Sequence, residues 1–309
     1  MSAAYPDNAY ELKPTDALYP KKLLDLSDAP ERLYVRGDPS VLSVPALSVI
    51  GSRRATPYGL TVAEMAGKLA AESDLAVVSG GAKGCDQAAG WGALKQGGKH
   101  IVVLGSGADV VYPRSSEALV RKTIETGGAV VSLCPWGMGP RRYAFPKRNR
   151  IIAALSEALL IAEAGMPSGT FSTAETAMEI GRELLVAPGS IISPESRGSN
   201  YLISIGACCV VDEQSIEMAI SRIYGKLRFQ RAEQTKGPLL NTQEEQTLHA
   251  LTAAPLRVDA IQAMLGCDAV SCITLLGSME AEGYIERLID GRYAPTKFAL
   301  FSQTPLMAQ

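Results

Sequence analysis

Five positive charges fall within ten residues, Arg141, Arg142, Lys147, Arg148 and Arg150, and no acid stands among them. Tyr143, Phe145 and Asn149 are interleaved with them. Cations suit phosphates, a ring suits a nucleobase and an amide suits a hydrogen bond, so the run has the chemistry of a single-stranded nucleic-acid site. The 309-residue chain carries a formal charge of −2, so the cluster is local and not a by-product of a basic composition. A solvated basic turn before a helix would carry the same charges. What separates the two readings is where the fold puts the run.

Three more segments carry phosphate-binding chemistry. Gly51-Ser52-Arg53-Arg54 follows an apolar run and precedes a helical one. Amides at such a turn can hold a phosphate, and Arg53 adds a bidentate contact. Ser79-Gly80-Gly81-Ala82-Lys83-Gly84 is a second glycine-rich turn into a helix; it lacks the Gly-Lys-Ser/Thr of a P-loop. Asp86 behind it is placed to cap that helix. Ser168-Gly169-Thr170 offers two hydroxyls and a glycine at a third such turn. Each segment also reads as an ordinary turn or helix cap. Lys147, Arg148 and Arg150 surround Asn149 at an expected helix start, where cations oppose the helix dipole and a bound anion would relieve the conflict.

Other chemistry is excluded. Gly105-Ser106-Gly107 lacks the third glycine of a dinucleotide fingerprint, which argues against a nicotinamide cofactor. The two histidines, His100 and His249, both read as structural, and the six cysteines form no Cys-x-x-Cys pair, so neither a histidine triad nor a metal site is expected. Glu175 reads as a surface helix residue without a catalytic partner. No catalytic residue, cofactor or metal is assigned. The N-terminus has no secretory signal pattern, no apolar run reaches membrane-span length, and the cysteines read as reduced thiols, so a cytoplasmic protein is expected.

The elements that must position these residues are legible from Ala46 onward. Seven short apolar runs, Leu47–Ile50, Leu75–Val78, Ile101–Leu104, Ala129–Val131, Ala158–Ile161, Leu184–Val186 and Cys208–Val211, read as strands buried on both faces. Helical stretches separate them: Leu60–Glu72, Cys85–Leu94, Ser116–Glu125, Asn149–Leu155 and Ser172–Arg182. The alternation predicts an α/β fold with a doubly wound, mostly parallel sheet. The candidate loops all follow strands, so they share its carboxyl edge, where such sheets bind ligands.

The boundaries expected are an N-terminal extension over residues 1–45 packing on the core, a core over 46–225, a linker over 226–240 and a module over 241–300. In the module, helices over Thr242–Ala253, Arg257–Leu265 and Asp268–Gly283 precede a hairpin turning at Asp290-Gly291, which makes a winged helix. Its recognition helix holds no Lys or Arg. From Asn241 to Pro295, eight acids face three bases, a net of −5. Duplex binding draws on phosphate neutralisation, so this module is expected to contact protein.

Five motifs in order resemble the DNA-processing protein A (DprA, or Smf) family: Val49 to Gly59, Val78 to Asp86, Val103 to Pro113, Phe145 to Ala153, and Ala187 to Ser190. The resemblance implies a Rossmann-like core that binds single-stranded DNA, dimerises and helps load the recombinase RecA during natural transformation. It assigns the DNA backbone to Arg53, Lys147, Arg148 and Arg150, and base stacking to Phe145. Lys83 stands where the family usually has arginine, and Leu133-Cys134 where Glu-Tyr is common. The expected DNA site is therefore Gly51, Ser52, Arg53, Ser79, Gly80, Gly81, Lys83, Phe145, Lys147, Arg148, Asn149, Arg150, Ser168, Gly169 and Thr170. The alternative is a nucleotide-binding enzyme of the lysine-decarboxylase-like phosphoribohydrolase type, which Gly165 to Thr170 loosely resembles. A winged-helix transcription factor is disfavoured by the acidic recognition helix.

Overall fold

The computed structural model describes residues 8–226, 240–288, 290–296 and 299. Nearly all of the expected linker, with Arg228, Arg231 and Lys236, lies outside the described residues, as do residues 1–7 of the expected extension and residues 289, 297, 298 and 300 of the module. The chain divides into two compact units, Met1–Gln230 and Arg231–Gln309.

The first unit is built on a nine-stranded sheet. Its strands are β1 (Ala9–Leu12), β2 (Leu33–Gly37), β3 (Ala46–Ile50), β4 (Ala76–Ser79), β5 (His100–Leu104), β6 (Ala129–Ser132), β7 (Ala158–Ile161), β8 (Glu183–Val186) and β9 (Cys208–Cys209). Its helices are α1 (Pro57–Glu72), α2 (Cys85–Lys95), α3 (Glu117–Glu125), α4 (Ala144–Ala154), α5 (Thr170–Glu179), α6 (Arg197–Ser204) and α7 (Glu213–Tyr224). The spatial order is β1-β2-β6-β5-β4-β3-β7-β8-β9, with β3 to β9 parallel. Every residue of β3, β4, β5, β6 and β7 is buried. Their side chains alternate between two cores: Leu47 and Val49 join Leu69, Ala89 and Ile220 on one face, while Ala46 and Ile50 join Ile151, Ala177 and Leu202 on the other. Helices on both faces are what keep so apolar a sheet dry.

Two differences from the sequence reading bear on the site. β1 and β2 extend the sheet antiparallel, β1 on β2 and β2 on β6, so the N-terminal segment contributes strands as well as packing. Helix α4 starts at Ala144, five residues before the expected Asn149. Pro146 lies in its first turn, where a missing N–H costs no intrahelical bond. Phe145, Lys147 and Arg148 are thereby fixed on a helix rather than a loop.

The sheet grows from β3 through β4 and β5 to β6, then resumes on the other side of β3 with β7, so β3/β7 is the topological switch point. The loops after β3, β4, β5 and β7 all open on that carboxyl edge.

The second unit holds α8 (Thr242–Ala253), α9 (Val258–Leu265), α10 (Ala269–Ala281) and the antiparallel hairpin β10 (Ile285–Arg287) and β11 (Tyr293–Pro295). Leu248, Leu251, Ile261, Cys272, Leu276, Met279 and Tyr284 form its core. Helices α9 and α10 meet at 111°, as a helix-turn-helix requires. Among the described residues no single helix is long and apolar enough to cross a membrane.

Candidate nucleic-acid interface

The site is organised by two buried opposite charges that interact electrostatically. Arg148 is 5% exposed and Asp86 equally so. The space a side chain on Gly80 would fill is taken by Nη1 of the Arg148 guanidinium, with Asp86 Oδ2 2.7 Å from the position of a Cβ. Only glycine fits between them. Burial pushes the Arg148 pKa down and the Asp86 pKa up, and in each case the partner's charge pulls it back. Arg53 adds a second positive charge that presses on Arg148. Arg148 Nε is buried without a hydrogen-bond partner. A buried cation with an unsatisfied donor is costly unless something supplies an acceptor.

Asp86 does not cap α2. Its carboxylate accepts the Gly80 amide at 2.9 Å and is further stabilised by the amides of Ala82 and Gly51. The backbone donors expected to cradle phosphate after β3 and β4 are thus already on an acid. Ser52 N–H donates to the Glu163 carbonyl at 2.8 Å, and Cys85 N–H to the Ser52 carbonyl at 3.2 Å. These bonds make the two loops one rigid floor.

Above that floor stands Phe145. Its half-buried ring packs on the loop after β5, where a Cβ on Gly105 would come within 2.9 Å of it. The guanidinium carbons of Arg53 and Arg148 lie 5.7 and 5.8 Å from its centroid, within cation–π range. Tyr112 lies 6.1 Å away, tilted by 57°. Arg53, Lys83, Arg141, Arg142 and Lys147 are exposed. Among the described residues none of these five makes an ion pair, so the rim carries unneutralised positive charge.

Several expected residues turn out to serve the fold. The Ser79 side chain is fully buried and bonded to His100 Nε2 at 3.0 Å, while His100 Nδ1 meets Thr123 Oγ1 at 2.8 Å. It faces the interior and cannot touch DNA. Arg150 points to the N-terminal segment, pairing with Asp28 at 2.7 Å and with Glu179 at 4.0 Å. The amides of Gly51, Ser52 and Gly80 are occupied as described. Gly81 offers no free carbonyl, because Ser116 and Gln87 donate to it. Asn149 donates to the Gly169 carbonyl at 3.4 Å and to Ser172 Oγ at 3.3 Å, tying α4 to the loop after β7. Within that loop Ser168 and Thr170 bond each other at 2.7 Å, and Thr170 is buried. Ser168 and Gly169 keep some exposure beside the rim.

The switch point itself is closed. Glu163 is buried and accepts both Thr56 N–H at 2.8 Å and Thr56 Oγ1–H at 2.6 Å, stitching the loop after β7 to the start of α1. Burial raises its pKa, against those two bonds. The open chemistry therefore lies on the β3-β4-β5 side.

Residues 11–221 match the DNA recombination-mediator protein A family. The chain belongs to that family. Protein Smf of Escherichia coli is 38% identical over 208 residues, which cover 67% of this chain and 56% of the relative. DNA processing protein DprA of Streptococcus pneumoniae is 40% identical over 201 residues, 65% of this chain and 71% of the relative. The chain thus spans little more than half the length of the first and under three quarters of the second. The crystal structure of the S. pneumoniae protein superposes with a TM-score of 0.63 at 38% identity, covering 68% of this chain and 74% of that one. The structure of DNA processing protein A from Helicobacter pylori, which concerns that protein's single-stranded DNA binding mode, gives 0.63 at 30% identity over 70% and 97%. The family match ends within α7, so it says nothing of the acidic module.

Within this family member, the sequence reading missed three things: Asp86 as the anchor of two loops, Tyr112 beside Phe145, and Glu163 as the stitch at the switch point. Only the first had a signal, an acid six residues after Gly80, behind a turn with three glycines.

Proposed function

We propose that the chain binds single-stranded DNA across the carboxyl edge of β3, β4 and β5 and acts there without catalysis. The observation that carries this reading is the half-buried Phe145 ring flanked by Arg53 and Arg148, with Lys83, Arg141, Arg142 and Lys147 exposed on the loop after β4, ahead of α4 and in its first turn. Phosphates would lie on Arg53, Lys83 and Lys147, a base on the exposed part of the Phe145 ring, and Arg148 beneath would add the field of its buried charge. The H. pylori relative's binding of single-stranded DNA supports the assignment. Following the family, the DNA-bound chain would act as a homodimer in the cytoplasm, helping to load the recombinase RecA during natural transformation. Val211 and Met218, exposed and apolar beside the short edge strand β9, are consistent with such an assembly. The phosphoribohydrolase alternative finds little support, since Glu175 is an exposed helix residue and Glu163 is committed to Thr56.

The test is a titration of the full chain with an oligothymidine and with a duplex of equal length at two salt concentrations. Single strands should bind more tightly, with log Kobs falling by about 0.7 per phosphate contact for each decade of salt. Equal or tighter duplex binding would sink the reading. Release of free base from a nucleoside monophosphate would revive the enzyme, and co-sedimentation with RecA filaments tests the loading role.

A further inference from the structure

Helix α10 is apolar on two opposite faces. Cys272, Leu276 and Met279 form one stripe and sit in the module's core. Val270 and Ile273 stand on the other, 76% and 61% exposed, beside exposed Thr274 and Gly277. Met264 at the end of α9 is also exposed. The module's own core accounts for the first stripe and not for the second.

In a helix-turn-helix this outward face is the one that enters the major groove, with the helix N-terminus against phosphate and the wing beside it. Here the helix end is already acidic, and the wing, with Glu286 and Asp290 against Arg287 and Arg292, carries no net charge. Asp268 caps α10, accepting the amides of Val270 and Ser271 at 3.0 Å each, so a carboxylate occupies the helix end that a phosphate would need. At the wing Arg292 is spent on Asp290, with Nε to Oδ2 at 2.7 Å. Glu280 and Glu282 lie at the other end of the stripe, and residues 241–295 carry a net of −5. A polyanion is repelled at both ends of the stripe and finds no net positive charge at the wing. A second copy of the module would set net negative charge against net negative charge. A basic partner gains on both counts, because apolar anchors fill the stripe while its cations meet the acids at either end.

We propose that the outward face of α10, centred on Val270 and Ile273, docks an amphipathic helical segment of a partner protein, apolar along one face and flanked by Lys or Arg. This is the helix-in-groove mode of recognition, carried on a scaffold usually associated with DNA.

The test uses the full chain and three synthetic peptides: a helix with Leu at i, i+4 and i+7 flanked by lysines, a scrambled peptide of the same composition, and an acidic counterpart. The amphipathic basic helix should bind and the other two should bind at least several-fold more weakly. The decisive variant is Val270→Asp with Ile273→Asp. Both side chains are mostly exposed, so the module should still melt as before. The substitutions add two negative charges while removing the anchors. Pure electrostatics predicts tighter binding of the basic peptide; the docking stripe predicts binding weakened roughly tenfold or more. Unchanged or tighter binding in the variant, equal binding of the scrambled peptide, or failure of the parent chain to bind the amphipathic peptide would each overturn the proposal. So would duplex binding that the variant loses, or a fall in oligomeric state on sedimentation, which would give the face to DNA or to a second copy.

Discussion

The carboxyl edge of the core sheet and the outward face of α10 are both places where folds of their kind meet nucleic acid, and both put an aspartate on the backbone amides. Asp86 holds the amides of Gly80, Ala82 and Gly51, and Asp268 those of Val270 and Ser271. The difference lies in what surrounds the acid. Asp86 is buried against Arg148, and the loops it fixes carry the exposed cations Arg53 and Lys83. Asp268 is solvent-exposed, and the helix it caps bears no cation. In the core the acid is a strut beneath a positive surface; in the module it is part of a negative one. Architecture brings two faces into the customary position, and local charge decides which of them suits DNA.

Removing each acid should expose that difference most strongly. Asp86→Ala leaves Arg148 buried without its counter-charge and frees three amides, which should cost the core about 3–5 kcal/mol. Asp268→Ala removes an exposed N-cap and should cost the module about 1 kcal/mol. Urea unfolding followed by a probe in each unit reads both. Similar losses at the two sites would show that Asp86 is no more than another cap.

Acid should separate the units next. His100 is fully buried between Ser79 and Thr123, and burial lowers its pKa to about 3 from the usual 6.5. The unfolded chain binds a proton there that the folded core refuses. The resulting stability is fully present above about pH 6.5 and is lost as pH falls toward 3, at up to about 1.4 kcal/mol per pH unit. His249 in the module is exposed. The core should therefore be the unit that His100→Gln desensitises, seen as a flatter plot of its unfolding free energy against pH. An unaltered slope would mean that other groups govern the acid limb.

On the DNA side, Phe145→Ala should weaken oligothymidine binding by roughly 1–3 kcal/mol if a base stacks on the ring. Arg53→Ala and Lys147→Ala should each lower affinity for all sequences alike and take about 0.7 from the salt slope. Arg150→Ala should change neither, because its charge is already spent on Asp28. An Arg150→Ala effect equal to that of Arg53→Ala would return the whole basic run to the interface.

That last contrast shows where sequence stopped being informative. The strands β3 to β9 were legible because burial on both faces leaves unbroken apolar runs. β1 and β2 were not, since an antiparallel edge such as Ala-Tyr-Glu-Leu mixes polar and apolar residues. The basic run was legible as charge, but which cations remain free depends on partners distant in the chain. Arg148 meets Asp86, Arg150 meets Asp28, and no local spacing announces either. Ser79 looked like part of a phosphate loop because a glycine pair follows it, yet the strand pleat turns its side chain inward to His100. The start of α4 was misplaced by five residues, because Pro146 is accommodated inside its first turn.

The smallest effect expected is the most direct probe of the comparison. Thr274→Lys with Ser278→Lys puts two cations on the exposed face of α10, both at solvent positions. If a missing lysine were all that kept this helix from duplex DNA, affinity should rise sharply and the salt slope should approach about two contacts' worth, near −1.8. The placement of the acids argues otherwise. Asp268 still occupies the helix N-terminus, Asp290 still neutralises Arg292 at the wing, and the module still carries net negative charge. Duplex affinity should therefore change no more than a few-fold, with a slope well below that value. Only adding Asp268→Ser and Asp290→Ser, which frees the amides and the wing arginine, should build a measurable duplex site. Tight duplex binding by the two lysines alone would mean that cation count, and not the distribution of acids, is what distinguishes the module from the core.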